Sequence, residues 1–215
     1  MIPTSYCGIF GLNKKMDEKI EKRFEKVKHS RTFRRLLKEH KLSETRVLDI
    51  GCGYGEYLSL FGKGSFGLTT IEREVKYAST KGLSVQIHNG ELLHELSIPE
   101  PFEVVWANNF FEHILSPHAF LVHLRRIVTP RGKLILGVPV IPKIAFLLRF
   151  RKFHGALATS HINFFTQESL ELTVARAGWT IEESRSYVLP KFFDILVSLF
   201  SPHIYCGHKI SLFSV

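Results

Sequence analysis

Residues 47–55 read VLDIGCGYG: an aliphatic run, a carboxylate at Asp49, and glycines at Gly51, Gly53 and Gly55. An apolar run ending this way predicts a buried strand feeding a tight turn, and in open α/β sheets that turn is where ligands bind. A dinucleotide site requires Gly-x-Gly-x-x-Gly, whose third glycine lets the helix pack close to the strand. Here the spacing is Gly-x-Gly-x-Gly and Glu56 follows, which weakens a nicotinamide reading. A carboxylate aimed into the loop would repel a pyrophosphate and attract an ammonium group, so Asp49 favours a cofactor with a positive, amino-acid end. Cys52, between two glycines, reads either as a reactive thiol or as a small packing residue, and packing is the simpler account.

Further along, His113 follows a predicted strand, and a neutral imidazole there could remove a proton from a hydroxyl or amine. The alternative is a histidine that hydrogen-bonds the backbone and fixes its loop. His154 and His161 flank a segment of uncertain form, and His161 can equally be a structural cap. With 11 histidines in 215 residues, sequence alone does not single one out.

These residues need elements to position them. From residue 45 the pattern alternates strand and helix, which predicts an α/β fold: a Rossmann-like doubly wound sheet, mostly parallel with an antiparallel last strand, and helices on both faces. Strands are expected near 46–50, 65–69, 85–88, 102–108, from Lys133 onward, from Thr180, and near 204–213. Helices are expected from Tyr54 to Phe61, from Glu72 to Lys81, after the Ser116-Pro117 cap, and from a Thr166 cap to Ala177, closed by Gly178. "TPRG" (129–132) reads as a turn into the fifth strand. Residues 1–44 form a basic helical segment packed on the domain 45–215, and 139–160 a substrate-covering insertion.

In this order the motifs resemble those of the class I S-adenosylmethionine-dependent methyltransferases. "VLDIGCGYG" is similar to that family's first motif, "NGELLHELSIPEPFEVVWANNFFEHI" to its adenine-side loop, fourth strand and Glu-His ending, and "HLRRIVTPRGKLILGVP" and "HINFFTQESLELTVARAGW" to its later segments. The resemblance covers 46 to about 187. It implies S-adenosylmethionine as cofactor and no metal. It places Gly51, Cys52 and Gly53 against the methionine portion, Asp49 near the amino group, Glu91 and Leu92 at adenine, and Asn108 at the amino-acid end. The family's usual ribose-binding acid at the end of the second strand is Thr69 here. "GLT" at this point resembles the cyclopropane and mycolic acid synthase branch, which implies that Thr69 shares the ribose with Glu74, with Glu72 as the rival.

Composition bounds the function. The odd, scattered Cys7, Cys52 and Cys206 suggest neither a disulfide framework nor a paired metal site, so a cytoplasmic, reducing compartment is expected. No signal peptide or transmembrane segment is predicted. The net charge of +9 is concentrated in residues 14–41, with 12 Lys/Arg against 5 Asp/Glu. That stretch reads as an anionic-membrane or nucleic-acid footprint or, more simply, as a solvated amphipathic helix. Nucleic acid is disfavoured as a partner, because "NNFFEH" stands where the family's nucleic-acid enzymes carry Asn/Asp-Pro-Pro-aromatic. The expected activity is methyl transfer to a small-molecule acceptor, with anionic and lipidic acceptors both compatible with the charge and apolar stretches. Lipid-directed transfer and a non-catalytic cofactor-binding scaffold are the alternatives. The apolar stretch 190–200 reads as a buried, membrane-surface or dimer-forming helix.

Overall fold

The structure, a computed structural model, describes residues 7–97, 100–141, 159–186 and 208–214. Among the described residues five helices and seven strands follow one another: α1 (Cys7–Lys28), α2 (Arg31–Glu39), β1 (Val47–Ile50), β2 (Phe66–Thr69), α3 (Glu72–Thr80), β3 (Val85–Ile87), β4 (Phe102–Asn108), α4 (Pro117–Leu124), β5 (Val128–Pro139), α5 (Gln167–Arg176), β6 (Thr180–Ser186) and β7 (His208–Ser214). The strands form one sheet in the order β3-β2-β1-β4-β5-β7-β6. Pairings from β3 through β5 are parallel, and β7 runs antiparallel to both β5 and β6. The expected doubly wound architecture and its reversed last strand are both present.

Side chains alternate between sheet faces with period two, and the two faces bury different helices. Leu48, Ile50, Val105, Ala107, Leu134 and Leu136 pack with Phe120, Leu121 and Leu124 of α4 and with Leu170 and Val174 of α5. On the opposite face Val47, Val104, Trp106 and Ile135 pack with Phe33 and Leu36 of α2. Burying each such side chain fully contributes about 1.5–3 kcal/mol, so strands this short are held by their helices. By the same alternation Asp49, Trp106 and Asn108 belong to the α2 face.

Local signals account for the helix ends. Ser30 caps α2 by accepting from Phe33 N at 3.3 Å. Thr166 caps α5 in a reciprocal box, accepting from Ser169 N at 3.2 Å while Ser169 Oγ accepts from Thr166 N at 2.9 Å. Gly178, at φ +83°, follows the end of α5. Ser116 occupies the N-cap of α4 without a side-chain bond, and Pro117 supplies the first turn.

Two expectations are corrected. The helix predicted from Tyr54 to Phe61 is a set of turns with a single 3-10 turn, Leu58–Leu60, because Gly55 at φ +91° interrupts any right-handed helix there. "TPRG" does not separate two elements. Residues 128–139 are continuous β5, with Arg131 at φ +68° and a register jump between the pairs Phe102↔Val128 and Val104↔Lys133. The turn signal is absorbed as a bulge inside the strand. Most of the expected insertion 139–160, with His154, and the stretch 190–200 lie outside the described residues. Among the described residues no helix is long and apolar enough to cross a membrane.

Candidate active site

The strand ends of β1 and β4 open into a cleft of about 400 Å³. Asp49, Gly51, Cys52 and Gly53 line it from the β1 loop, Trp106 and Asn108 from β4, and Arg23, Lys26 and Val27 from α1. Gly51 and Gly53 sit at φ +74° and +58°, left-handed conformations that favour glycine. A Cβ on Gly51 would also lie 3.1 Å from Phe110 Cδ2. Glycine recurs in β2 for steric reasons: a Cβ on Gly67 would stand 2.7 Å from Cys52 Sγ. The Cys52 thiol is buried, and burial together with the carboxylates of Asp49, Glu74 and Glu56 pushes its pKa far up. It is an unreactive packing group at the wall of the cleft.

Electrostatics give the cleft its character. Asp49 is buried and its Oδ2 has no hydrogen-bond partner. Burial, then the charge of Glu56, raises its carboxyl well above the usual range. Glu56 is buried too, and burial raises its pKa against the opposing pull of backbone donors and Arg23. The guanidinium meets it at 2.5 Å, Arg23 Nε to Glu56 Oε1, and lies 5.3 Å over the Tyr54 ring. Two buried carboxylates thus share the cleft with Arg23, which pairs with Glu56, and with Lys26 on the wall, while Asp49 Oδ2 is left without a hydrogen-bond partner. Sequence reasoning used Glu56 only to argue against a dinucleotide and missed Arg23, whose place in α1 gave no local signal.

Of the remaining expected residues, Asn108 lines this cleft, whereas Thr69, Glu74, Glu91 and Leu92 are not among its lining residues. Asn108 Nδ2 donates to Tyr57 Oη at 3.4 Å, which orients its amide. Thr69 Oγ1 donates to Glu74 Oε2, so those two are brought together, whereas Glu72 pairs with Lys76 at 2.6 Å. Glu91 Oε2 accepts from Leu115 N at 2.8 Å, tying the loop after β3 to the segment after β4, with Leu92 exposed beside it.

His113 stands in company that the sequence did not announce. It closes the 3-10 turn Phe111–His113 next to Glu112, which is only 1% exposed. His161, 48 positions on, lies with its Nε2 4.0 Å from Glu112 Oε1, and His113 Nε2 is 3.9 Å from the same oxygen. Backbone bonds hold the two segments together: Ile162 N and Asn163 N both donate to Glu112 O at 2.9 Å. Burial raises the Glu112 carboxyl, while burial and then the charge of His113 lower His161. The Glu-His pair was visible in the sequence; only the fold supplies His161.

Fold and site together define a Rossmann-like methyltransferase domain. The chain belongs to the methyltransferase domain family, whose family model matches residues 17–184. Among solved structures, an S-adenosylmethionine-dependent methyltransferase from Mesorhizobium loti superposes with a TM-score of 0.63 at 13% identity, covering 88% of this chain and 100% of that one. One from Archaeoglobus fulgidus gives 0.59 at 20% identity, over 89% and 97%. These likenesses are of fold. In sequence, a ubiquinone biosynthesis O-methyltransferase of Maricaulis maris is 36% identical over 98 residues, 42% of this chain and 39% of that protein. Its counterpart in Rickettsia bellii is 24% identical over 128 residues, 56% and 50%. The chain matches half or less of the length of these curated relatives.

Proposed function

We propose that this chain transfers a methyl group from S-adenosylmethionine to an oxygen of a small-molecule acceptor. The observation that carries the reading is Asp49: a buried carboxylate with one oxygen unpartnered, beside a glycine cradle. That donor set fits an ammonium-bearing amino-acid end and is unsuited to a pyrophosphate. Bound there, the sulfonium supplies a methyl group that is already electrophilic.

The chain's own part is to bind, align and exclude water, and orientation alone can lower a barrier by on the order of 7–11 kcal/mol. Asp49 holds the ammonium, and Asn108, fixed by Tyr57, borders the same end. Thr69 and Glu74, already bonded to one another, share the ribose hydroxyls, the arrangement implied by the "GLT" resemblance. Glu91 and Leu92 flank the adenine, with Glu91 anchored through Leu115 N. Methylation of a hydroxyl releases a proton, and Glu112 and His113 from the turn after β4, with His161 from the segment before α5, form a polar cluster at which the acceptor hydroxyl is deprotonated. His113 acts as part of that cluster rather than as a lone base.

The relatives' names favour an oxygen acceptor over a lipid alkene. Lys26, on the cleft wall, supports an acceptor bearing acidic groups. The test is turnover of S-adenosylmethionine with a panel of phenols, catechols, aromatic acids, amines and unsaturated phospholipids, following S-adenosylhomocysteine and the methylated product by mass. O-methylation of a hydroxylated small molecule is expected. Turnover confined to amines or to lipid alkenes would overturn the reading.

A further inference from the structure

We propose that Glu112, His113 and His161 bind one divalent transition-metal cation and leave a coordination position open for an acceptor oxygen. Each residue offers one ligand atom, and the three atoms all lie within 4.8 Å of one another. Glu112 Oε1 is 3.9 Å from His113 Nε2 and 4.0 Å from His161 Nε2, too far for hydrogen bonds. A tetrahedral cation with bonds near 2.0–2.2 Å holds neighbouring ligand atoms about 3.4 Å apart. A shift of about half an ångström closes each Glu–His pair, and the two histidine nitrogens, within 4.8 Å of one another, must approach by at most about 1.4 Å.

The surroundings have the form that metal ligation requires. His113 Nδ1 lies 3.0 Å from Ser160 O. A carbonyl only accepts, so Nδ1 carries the proton and the Nε2 lone pair is left for a metal. Glu112 is held by two backbone bonds to its carbonyl, and its Oε2 is buried without a partner. An unpaired buried carboxylate is costly unless a cation meets it. Two imidazoles with one carboxylate suit Zn²⁺, Fe²⁺, Co²⁺ or Ni²⁺ better than Mg²⁺ or Ca²⁺. Three protein ligands leave the fourth position open, as in catalytic zinc sites, and the 40% exposure of the His113 side chain gives access to it.

The site stands on its own geometry; its role in catalysis rests on the methyltransferase reading above. A hydroxyl oxygen in the open position loses its proton to solvent more readily. That oxygen then forms the new bond to the methyl carbon as the carbon–sulfur bond breaks, and the sulfur keeps the electron pair.

The experiment uses the full chain, stripped with a chelator and titrated with Zn²⁺ by calorimetry, with Co²⁺ absorption as a spectroscopic check. One equivalent of Zn²⁺ is expected to bind, with Mg²⁺ failing to compete. Glu112→Gln and His161→Gln should each weaken binding by at least about 10–100-fold. His94→Gln is the control, because His94 and His123 form a rival pair with rings 5.2 Å apart; it should change nothing. Where Glu112→Gln fails to fold, His161→Gln carries the test. Absence of stoichiometric binding, or binding that survives both site variants, overturns the proposal. Titration of the same metal-free sample with S-adenosylhomocysteine separates the two failures: that ligand binding without Zn²⁺ binding sinks only the metal site, and the reverse sinks only the cofactor reading.

Discussion

The cleft at the end of β1 and the cluster at the end of β4 both use a buried carboxylate with an unpartnered oxygen, yet they are assembled differently. Asp49 is followed within four residues by Gly51, Cys52 and Gly53, so one short stretch of chain builds most of its cradle. Glu112 finds His161 only because two backbone bonds bring residues 162 and 163 onto its carbonyl. Phe110 lies between the regions: a Cβ on Gly51 or Gly90 would meet its ring, which is tilted against Phe120 with 5.5 Å between centroids. The contrast teaches that one short stretch of chain can write most of a cleft wall, whereas the Glu112 cluster exists only through tertiary contacts.

The largest expected effect separates binding from stability at Asp49. Removing one partner of a buried charge pair costs about 2–5 kcal/mol, so Asp49→Asn should weaken S-adenosylhomocysteine binding by 30-fold or more in calorimetry. The same change should raise the melting temperature of the ligand-free protein at pH 7. A carboxyl whose folded pKa is raised contributes stability fully present below its unfolded value near 4 and lost as pH rises through the folded one. Burial raises Asp49, so the wild type should gain on the variant as pH falls from 7 toward 4. A melting temperature lowered by the substitution at pH 7 would break the contrast.

Next in size is the hinge between the regions. A Cβ on Gly90 would stand 2.6 Å from Ile50 Cγ2 and 2.8 Å from Phe110 Cζ. Gly90→Val should therefore cost about 1–3 kcal/mol in denaturant unfolding and weaken cofactor binding and Zn²⁺ binding together. Arg23→Ala comes third. It strips the counter-ion from buried Glu56, but the guanidinium is more than half exposed, so the loss should be only about 1 kcal/mol, restored by Glu56→Gln. Smallest is the surface pair Lys133–Glu182 at 3.0 Å, remote from either region in the argument. Lys133→Ala should change stability by less than about 0.5 kcal/mol and leave both ligands' binding untouched.

The fold was legible where signals were periodic or local. Strand and helix alternation gave the sheet, and Thr166 and Gly178 marked the ends of α5. It was not legible where a local signal met a tertiary demand: "TPRG" reads as a turn, but pairing with β4 continues on either side and turns it into a bulge. Likewise the helix expected at 54–61 is stopped by Gly55, whose φ is positive and where a Cβ would strike Leu83 Cδ1 at 2.6 Å. The glycine loop and Asp49 could be read from the residues themselves, and the pairing of Thr69 with Glu74 followed from the family resemblance. Arg23 could not be read, and His161 could be named but not joined to Glu112, because each reaches its partner from a separate element and a lone Arg or His in a helix or loop has many uses.

The most direct test of the central claim is calorimetric titration of the purified chain with S-adenosylhomocysteine, beside NAD and the Asp49→Asn variant. Saturable binding of S-adenosylhomocysteine alone, lost or strongly weakened in the variant, is the predicted result. Binding of NAD in its place, or S-adenosylhomocysteine affinity that is indifferent to Asp49, would contradict the account.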